Sequence, residues 1–210
     1  MTRRHLMDVM IPAAHGQLEG LLEGEGEPEP QAAAILCHPH PQYGGTMHNK
    51  VVYRAAQALR ESGFVTLRFN FRGVGRSTGT YDFGIGEQDD VRAVIDFMAR
   101  RYERARLWLI GYSFGAWVGL NVACSDERVT AMVGIGLPVD ANDFQFLAHC
   151  YKPKFFIQGT NDEFGSVEHL NALLLTLPEP KEVIYIEGAD HFFTGKLAEL
   201  KAAVLTCVRR

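Results

Sequence analysis

A chain of 210 residues is long enough to bury one sizeable core, and its 47% apolar and 22% charged residues belong to a folded globular protein rather than a disordered one. The formal net charge of −4 offers no general attraction for nucleic acid or an anionic membrane. No apolar run approaches the roughly 20 residues that span a bilayer.

One domain, 1–210, is the simplest organisation. The basic start is followed by Asp8 and Pro12, which interrupt any hydrophobic region, so no signal peptide is expected. Cys37, Cys124, Cys150 and Cys207 are widely spaced and form no C-x-x-C pair. They read as reduced thiols of a cytoplasmic protein.

Along the chain, the first thirty residues read as a strand or two, broken by the acidic Gly/Pro turn at 23–30. An apolar run at 32–37 follows. A helix is predicted over 46–62, with Val51, Val52, Ala55, Ala56 and Leu59 on one stripe and Gly63 ending it. A strand at 64–69 leads to a helix at 87–101, whose Val91, Val94, Ile95 and Met98 fall at i, i+3, i+4 and i+7. Further strands are predicted at 107–110, 129–135, 154–157 and 183–186, and helices at 116–124, 167–175 and 192–208. Strand and helix in turn define an α/β fold, a mainly parallel sheet of about seven to eight strands covered on both faces. Its active site belongs at the carboxyl ends of the strands.

The sequence Gly111-Tyr112-Ser113-Phe114-Gly115 lies between a predicted strand and a predicted helix. A serine flanked by glycines at such a turn is a nucleophile elbow, its hydroxyl raised to the helix N-terminus where backbone N–H groups favour negative charge. Gly75-Arg76-Ser77-Thr78-Gly79 has the same spacing, but loop residues follow it, so Ser77 reads as a loop residue.

A serine hydroxyl needs a histidine to take its proton and an acid to hold that histidine. Asp162, just beyond the strand at 154–157, and His191, just beyond the strand at 183–186, follow Ser113 in the chain order Ser, Asp, His. Both fall on the rim that carries Ser113. Asp140, Asp143, Glu163 and Asp190 are the rival acids; Asp190 adjoins His191 and suits a loop cap better.

His38 and His40 alternate with Pro39 and Pro41, and no matching ligand set stands elsewhere at metal spacing, so no metal or other cofactor is expected. His5, His15, His149 and His169 read as surface or packing residues. The segment 38–45 reads instead as an oxyanion loop. One amide donor should be Phe114, after the nucleophile, and the other should come from this loop. Proline has no N–H, which leaves His40, with Gln42 or Tyr43 as alternatives.

Taken together, His38-Pro39-His40-Pro41, residues 44–50 and 68–77, Gly86-Glu87-Gln88-Asp89-Asp90, Gly111–Gly115, 159–162 and 188–193 resemble the α/β-hydrolase superfamily. The likeness is to its small, lidless bacterial hydrolases of dienelactone-hydrolase-like size with an H-P-H-P loop. It implies a three-layer sandwich and a Ser-His-Asp hydrolase of small acyl esters. In it Ser113 is the nucleophile, His191 the base, Asp162 the orienting acid, and the His40 and Phe114 amides hold the oxyanion. Dienelactone hydrolases proper use a cysteine nucleophile, so the serine departs from that reaction. The arginines of the 72–77 loop are expected to pair with nearby carboxylates or carbonyls.

Only residues 137–152 separate two predicted strands where related enzymes carry a cap domain, so no cap is expected. The cleft should be open, rimmed by Tyr43, Leu137, Phe144, Phe146, Leu147 and Tyr151, and should favour short acyl groups. A thioesterase, peptidase or acyltransferase with the same triad, or a non-catalytic scaffold, are the competing functions.

Overall fold

The computed structural model describes residues 5–25 and 30–209. The basic residues 1–4 and most of the acidic turn, 26–29, lie outside the described residues. Among the described residues the elements run β1 (His5–Ala13), β2 (Gly16–Glu25), β3 (Ala32–Cys37), α1 (Lys50–Glu61), β4 (Val65–Phe69), α2 (Gly86–Arg101), β5 (Arg106–Tyr112) and α3 (Phe114–Ser125). They continue through β6 (Val129–Ile135), β7 (Lys154–Gly159), α4 (Val167–Thr176), β8 (Lys181–Ile186) and α5 (Leu197–Val208).

The strands form one sheet in the order β1-β2-β4-β3-β5-β6-β7-β8. β2 is antiparallel to both β1 and β4, and every pairing from β4 across to β8 is parallel. Side-chain alternation splits the core between the two faces. In β3, Ala33, Ile35 and Cys37 pack toward α2, α3 and α4, while Ala32, Ala34 and Leu36 pack toward α1 and α5. In β5, Leu107 and Leu109 share the first core, and Trp108, Ile110 and Tyr112 the second. The result is a helix–sheet–helix sandwich, as the alternating pattern predicts.

From β3 the chain steps to β4 on one side, then crosses to β5 on the other. The crossing opens a crevice outside the carboxyl ends of β3 and β5, where sheets of this kind bind ligands. The segment 38–45 leaves β3 there, and Ser113 follows β5. Between β6 and β7 there is only a short 3-10 turn, Gln145–His149, and no cap.

Two helices start later than the sequence reading places them. Residues 46–49 form a turn, and α1 begins at Lys50 because the Asn49 side chain caps it, accepting from the Val51 N–H at 2.9 Å. α5 begins at Leu197 rather than at 192. Asp190 organises the intervening residues, its carbonyl accepting from Phe193 and its side chain from Thr194. Positive φ at Phe193 and Gly195 then breaks any helical continuation. His191 therefore stands in a capped turn of its own, with Asp190 in the loop-capping role.

Candidate active site

Ser113 joins β5 to α3 at φ 55° and ψ −122°, outside the ordinary basins of an L-residue. Such a conformation costs on the order of 1–3 kcal/mol and persists only where the surroundings impose it. Here the neighbouring glycines allow the turn. A Cβ on Gly111 would lie 2.4 Å from Ala116 Cα, and one on Gly115 would lie 2.4 Å from the Cys37 carbonyl oxygen. Both obstacles are backbone atoms. Gly115→Ala is therefore expected to lower stability by about 3 kcal/mol, read as a fall in the denaturation midpoint at unchanged m-value. The close approach at Gly115 also brings the first turn of α3 against the end of β3, so that the 38–45 loop lies beside Phe114.

His191 Nε2 is 2.9 Å from Ser113 Oγ, and His191 Nδ1 is 2.9 Å from both carboxylate oxygens of Asp162. Asp162 and His191 are only 6% and 4% exposed. A buried carboxylate needs donors. Asp162 Oδ1 accepts from the N–H groups of Phe164 and Gly165 at 2.9 and 3.1 Å, and Oδ2 accepts from Gln158 Nε2 at 2.9 Å. The imidazole is held from behind as well. Tyr112 Oη donates to the His191 carbonyl at 2.9 Å, and the His191 N–H donates to Glu163 Oε2 at 3.2 Å. Phe164 lies against the imidazole with ring centroids 4.7 Å apart. Serine, imidazole and carboxylate thus form one hydrogen-bonded line, and proton transfer from Oγ to a tautomer-fixed imidazole is what such a line can perform.

The rival acids are placed elsewhere. Asp140 binds His169 Nδ1 at 2.5 Å and both the N–H and Oγ of Ser166. Burial pushes its carboxyl up, but the bonds from His169 and Ser166 outweigh this and hold it below the usual carboxylate range. Asp143 caps Gln145, and Glu163 carries the His191 backbone rather than its ring. Ser77 is buried among structural bonds, donating to the Asn70 carbonyl and accepting from the Glu19 N–H. The arginines around it are paired, Arg72 with Asp90 and Arg76 with Glu19.

In the loop after β3, His38 is fully buried. Its Nδ1 donates to the Pro39 carbonyl at 2.6 Å and its Nε2 accepts from the Phe71 N–H at 3.0 Å. Burial pulls it down to about 4, so it is a neutral structural histidine. His40 Nδ1 accepts from the Gln42 N–H, and the His40 carbonyl accepts from the N–H groups of Tyr43 and Gly45. Those three amides are consumed in shaping the loop. The amides of His40 and Phe114 donate to no acceptor among the described residues. The His40 ring packs 4.9 Å from that of Phe114, and its Nε2 meets Tyr81 Oη at 3.1 Å.

The expected rim is placed differently in part. Leu137 is 0% exposed and Phe144 3%, so neither offers surface to a substrate. Leu137 turns inward over Gly134, and Phe144 lines a separate cavity of about 470 Å³ with Val139 and Leu173. Leu147 is buried, and Phe146 packs partly buried against the same core. Their apolar character found burial because the connection between β6 and β7 folds down onto α3. Tyr43, at 86% exposed, does stand beside His40, with ring centroids 4.7 Å apart. Aromatics not anticipated as rim are Phe164 and Phe192, each against His191, and Tyr81 with Phe83 on the His40 side. Gln158 was also missed; a polar residue ending an otherwise apolar strand was its one signal.

A parallel-sheet sandwich with a strained serine elbow and an aligned histidine and carboxylate defines the architecture of a serine hydrolase. Residues 31–202 match the family described as an alpha/beta hydrolase domain, and the chain belongs to that family. The uncharacterized protein RP471 of Rickettsia prowazekii is 38% identical over 198 residues, covering 90% of this chain and 83% of that one. Among solved structures, XC6422 of Xanthomonas campestris, described as an α/β serine hydrolase without lid, superposes with a TM-score of 0.90 at 36% identity, covering 98% of this chain and 94% of its own. An alpha-beta serine hydrolase homologue from Coxiella burnetii gives 0.89 at 39% identity, with 98% and 97% covered. The resemblance read from the motifs is thus a family membership, and the sandwich without a cap is its fold.

Proposed function

We propose that the chain, as a single catalytic domain, hydrolyses small carboxylic esters through an acyl-enzyme on Ser113. The observation that carries this reading is the unbroken line from Ser113 Oγ through the His191 ring to Asp162, each link 2.9 Å. Ser113 Oγ attacks the ester carbonyl as His191 Nε2 takes its proton, and Asp162 steadies the imidazolium. The developing oxyanion is received by the unengaged amides of His40 and Phe114, at the N-terminus of α3 where the helix dipole adds to their effect. His191 returns the proton to the departing alcohol. Water, deprotonated by the same nitrogen, then releases the acid. No group beyond these side chains and amides enters the scheme. The four widely spaced cysteines, none in a C-x-x-C pair, are in keeping with reduced thiols and action in the cytoplasm.

Without a cap, little apolar surface is available to a long acyl chain. A buried methylene is worth about 0.8 kcal/mol, and an open cleft does not collect it. In a series of p-nitrophenyl esters, kcat/KM is expected to be higher for four-carbon than for sixteen-carbon acyl groups. A preference for the long chain would refute the open cleft. Parallel assays on thioester, lactone and amide substrates, with the ester turned over fastest, test the leaving-group assignment.

A further inference from the structure

The motif His38-Pro39-His40-Pro41 contains a side chain to which the scheme above gives no part. His38 is wholly buried, and both of its ring nitrogens are engaged. The Phe71 N–H can only donate, so His38 Nε2 is the acceptor of that 3.0 Å bond. A neutral imidazole has one acceptor nitrogen. The proton therefore sits on Nδ1, which gives it to the Pro39 carbonyl at 2.6 Å. Phe71 stands just beyond β4, the neighbour of β3 in the sheet, and its ring meets the His38 ring edge-on with centroids 4.8 Å apart. The tautomer is thus imposed from the next strand.

The carbonyl that His38 holds belongs to the same peptide unit as the His40 amide. That unit is trans and planar, so its C=O and N–H point in opposite directions. With the carbonyl turned to the buried ring, the N–H is turned away from it, and no described residue accepts it. The carbonyl is confined on a second side, because a Cβ on Gly45 would run into the Pro39 oxygen. Downstream, the His40 carbonyl is fixed by the N–H groups of Tyr43 and Gly45 at 3.1 and 3.0 Å. Reversing the 39–40 unit would leave the Nδ1–H of a buried ring unpaired and put a carbonyl oxygen where the amide had stood. A developing oxyanion would then meet the negative end of a dipole instead of a donor.

We propose that His38 is a positioning residue: by holding the Pro39 carbonyl, its Nδ1–H aims the His40 amide at the oxyanion formed on Ser113. The inference rests on the ester-hydrolase reading. His38 acts through the peptide unit and meets no reacting atom itself. An oxyanion donor makes its full bond only in the transition state, so a misaimed amide lowers kcat and leaves KM nearly unchanged.

Two variants separate the two bonds of the ring. His38→Asn puts an NH₂ near the place of Nδ1, where it can still donate to the Pro39 carbonyl, and leaves the Phe71 N–H unpaired. His38→Gln puts an oxygen near the place of Nε2, keeps the Phe71 bond and removes the donor from Pro39. With one ester at saturation, His38→Asn should keep kcat within about tenfold of the parent, and His38→Gln should lose about 10²-fold. Denaturation midpoints should fall in both, and further in His38→Asn, which also leaves a void. Activity and stability then run in opposite order, which a role confined to stability would not produce. If His38→Asn were the less active of the two, or if both had the same kcat, the proposal would fall. In the parent protein, NMR of the imidazole nitrogens should show His38 protonated on Nδ1 and bare on Nε2; the reverse tautomer would overturn the proposal whether or not a variant folds. Failure of the ester-hydrolase reading shows separately, as fluorophosphonate labelling that survives Ser113→Ala.

Discussion

Ser113→Ala should abolish labelling by a fluorophosphonate probe and lower kcat for p-nitrophenyl acetate on the order of 10⁴- to 10⁶-fold, with KM nearly unchanged. The loss falls on kcat because the hydroxyl acts in forming and breaking the acyl bond, whereas the rim and the loop amides that hold the ester remain. The fold should survive. Ser113 supplies no side-chain cap to α3, and the elbow is imposed by Gly111, Gly115 and the bond from the Ser113 N–H to the Ile135 carbonyl at 2.9 Å. Ser77→Ala is the paired control. Removing its Oγ breaks bonds to Asn70 and Glu19, at a cost of about 1–3 kcal/mol in stability, while labelling persists. If labelling followed Ser77 instead, the assignment of the nucleophile would fall.

Asp162→Asn should lower kcat by roughly 10⁴-fold while the protein stays folded. An amide at 162 has only one acceptor oxygen. Both carboxylate positions already receive donors: the N–H groups of Phe164 and Gly165 at Oδ1, Gln158 Nε2 at Oδ2, and His191 Nδ1 at both. Whichever way an asparagine turns, its NH₂ faces a donor, and the surest relief is for His191 to shed the Nδ1 proton. The imidazole then carries its proton on Nε2, the nitrogen that must accept from Ser113. Asp140→Asn should leave kcat within a few-fold, because Asp140 serves His169 and Ser166. Equal losses in the two variants, measured with the same ester at saturation, would return Asp140 to contention.

Much of this site was legible in one dimension because its chemistry is tied to chain order. The elbow needs glycine on both sides of the serine, and acid and base are expected to follow strands on one rim, so Ser113 and His191 could be singled out from the strand–loop pattern, with Asp162 preferred to Asp140 but not separated from it. In the loop at 38–45 proline lacks an N–H, so the sequence leaves few candidate donors. Helix ends were less legible. Asn49 and Asp190 set where α1 and α5 begin through side-chain bonds that compete with periodicity, and periodicity by itself runs through such caps.

Local pattern, in short range, determined the alternation of strand and helix, the sharp turn at Ser113 and the set of groups able to act as nucleophile, base and acid. Tertiary packing decided which apolar side chains stand beside His191. Leu137 and Phe144 are as apolar as Phe164 and Phe192, yet the first two are buried in the core and the second two stand beside His191. Hydrophobicity states only that a side chain gains by leaving water; which surface receives it depends on how distant segments fold down on one another. The choice of Asp162 over Asp140 belongs to the same kind of fact. Both are carboxylates beyond a strand, and only the three-dimensional set of donors around each assigns one to His191 and the other to His169.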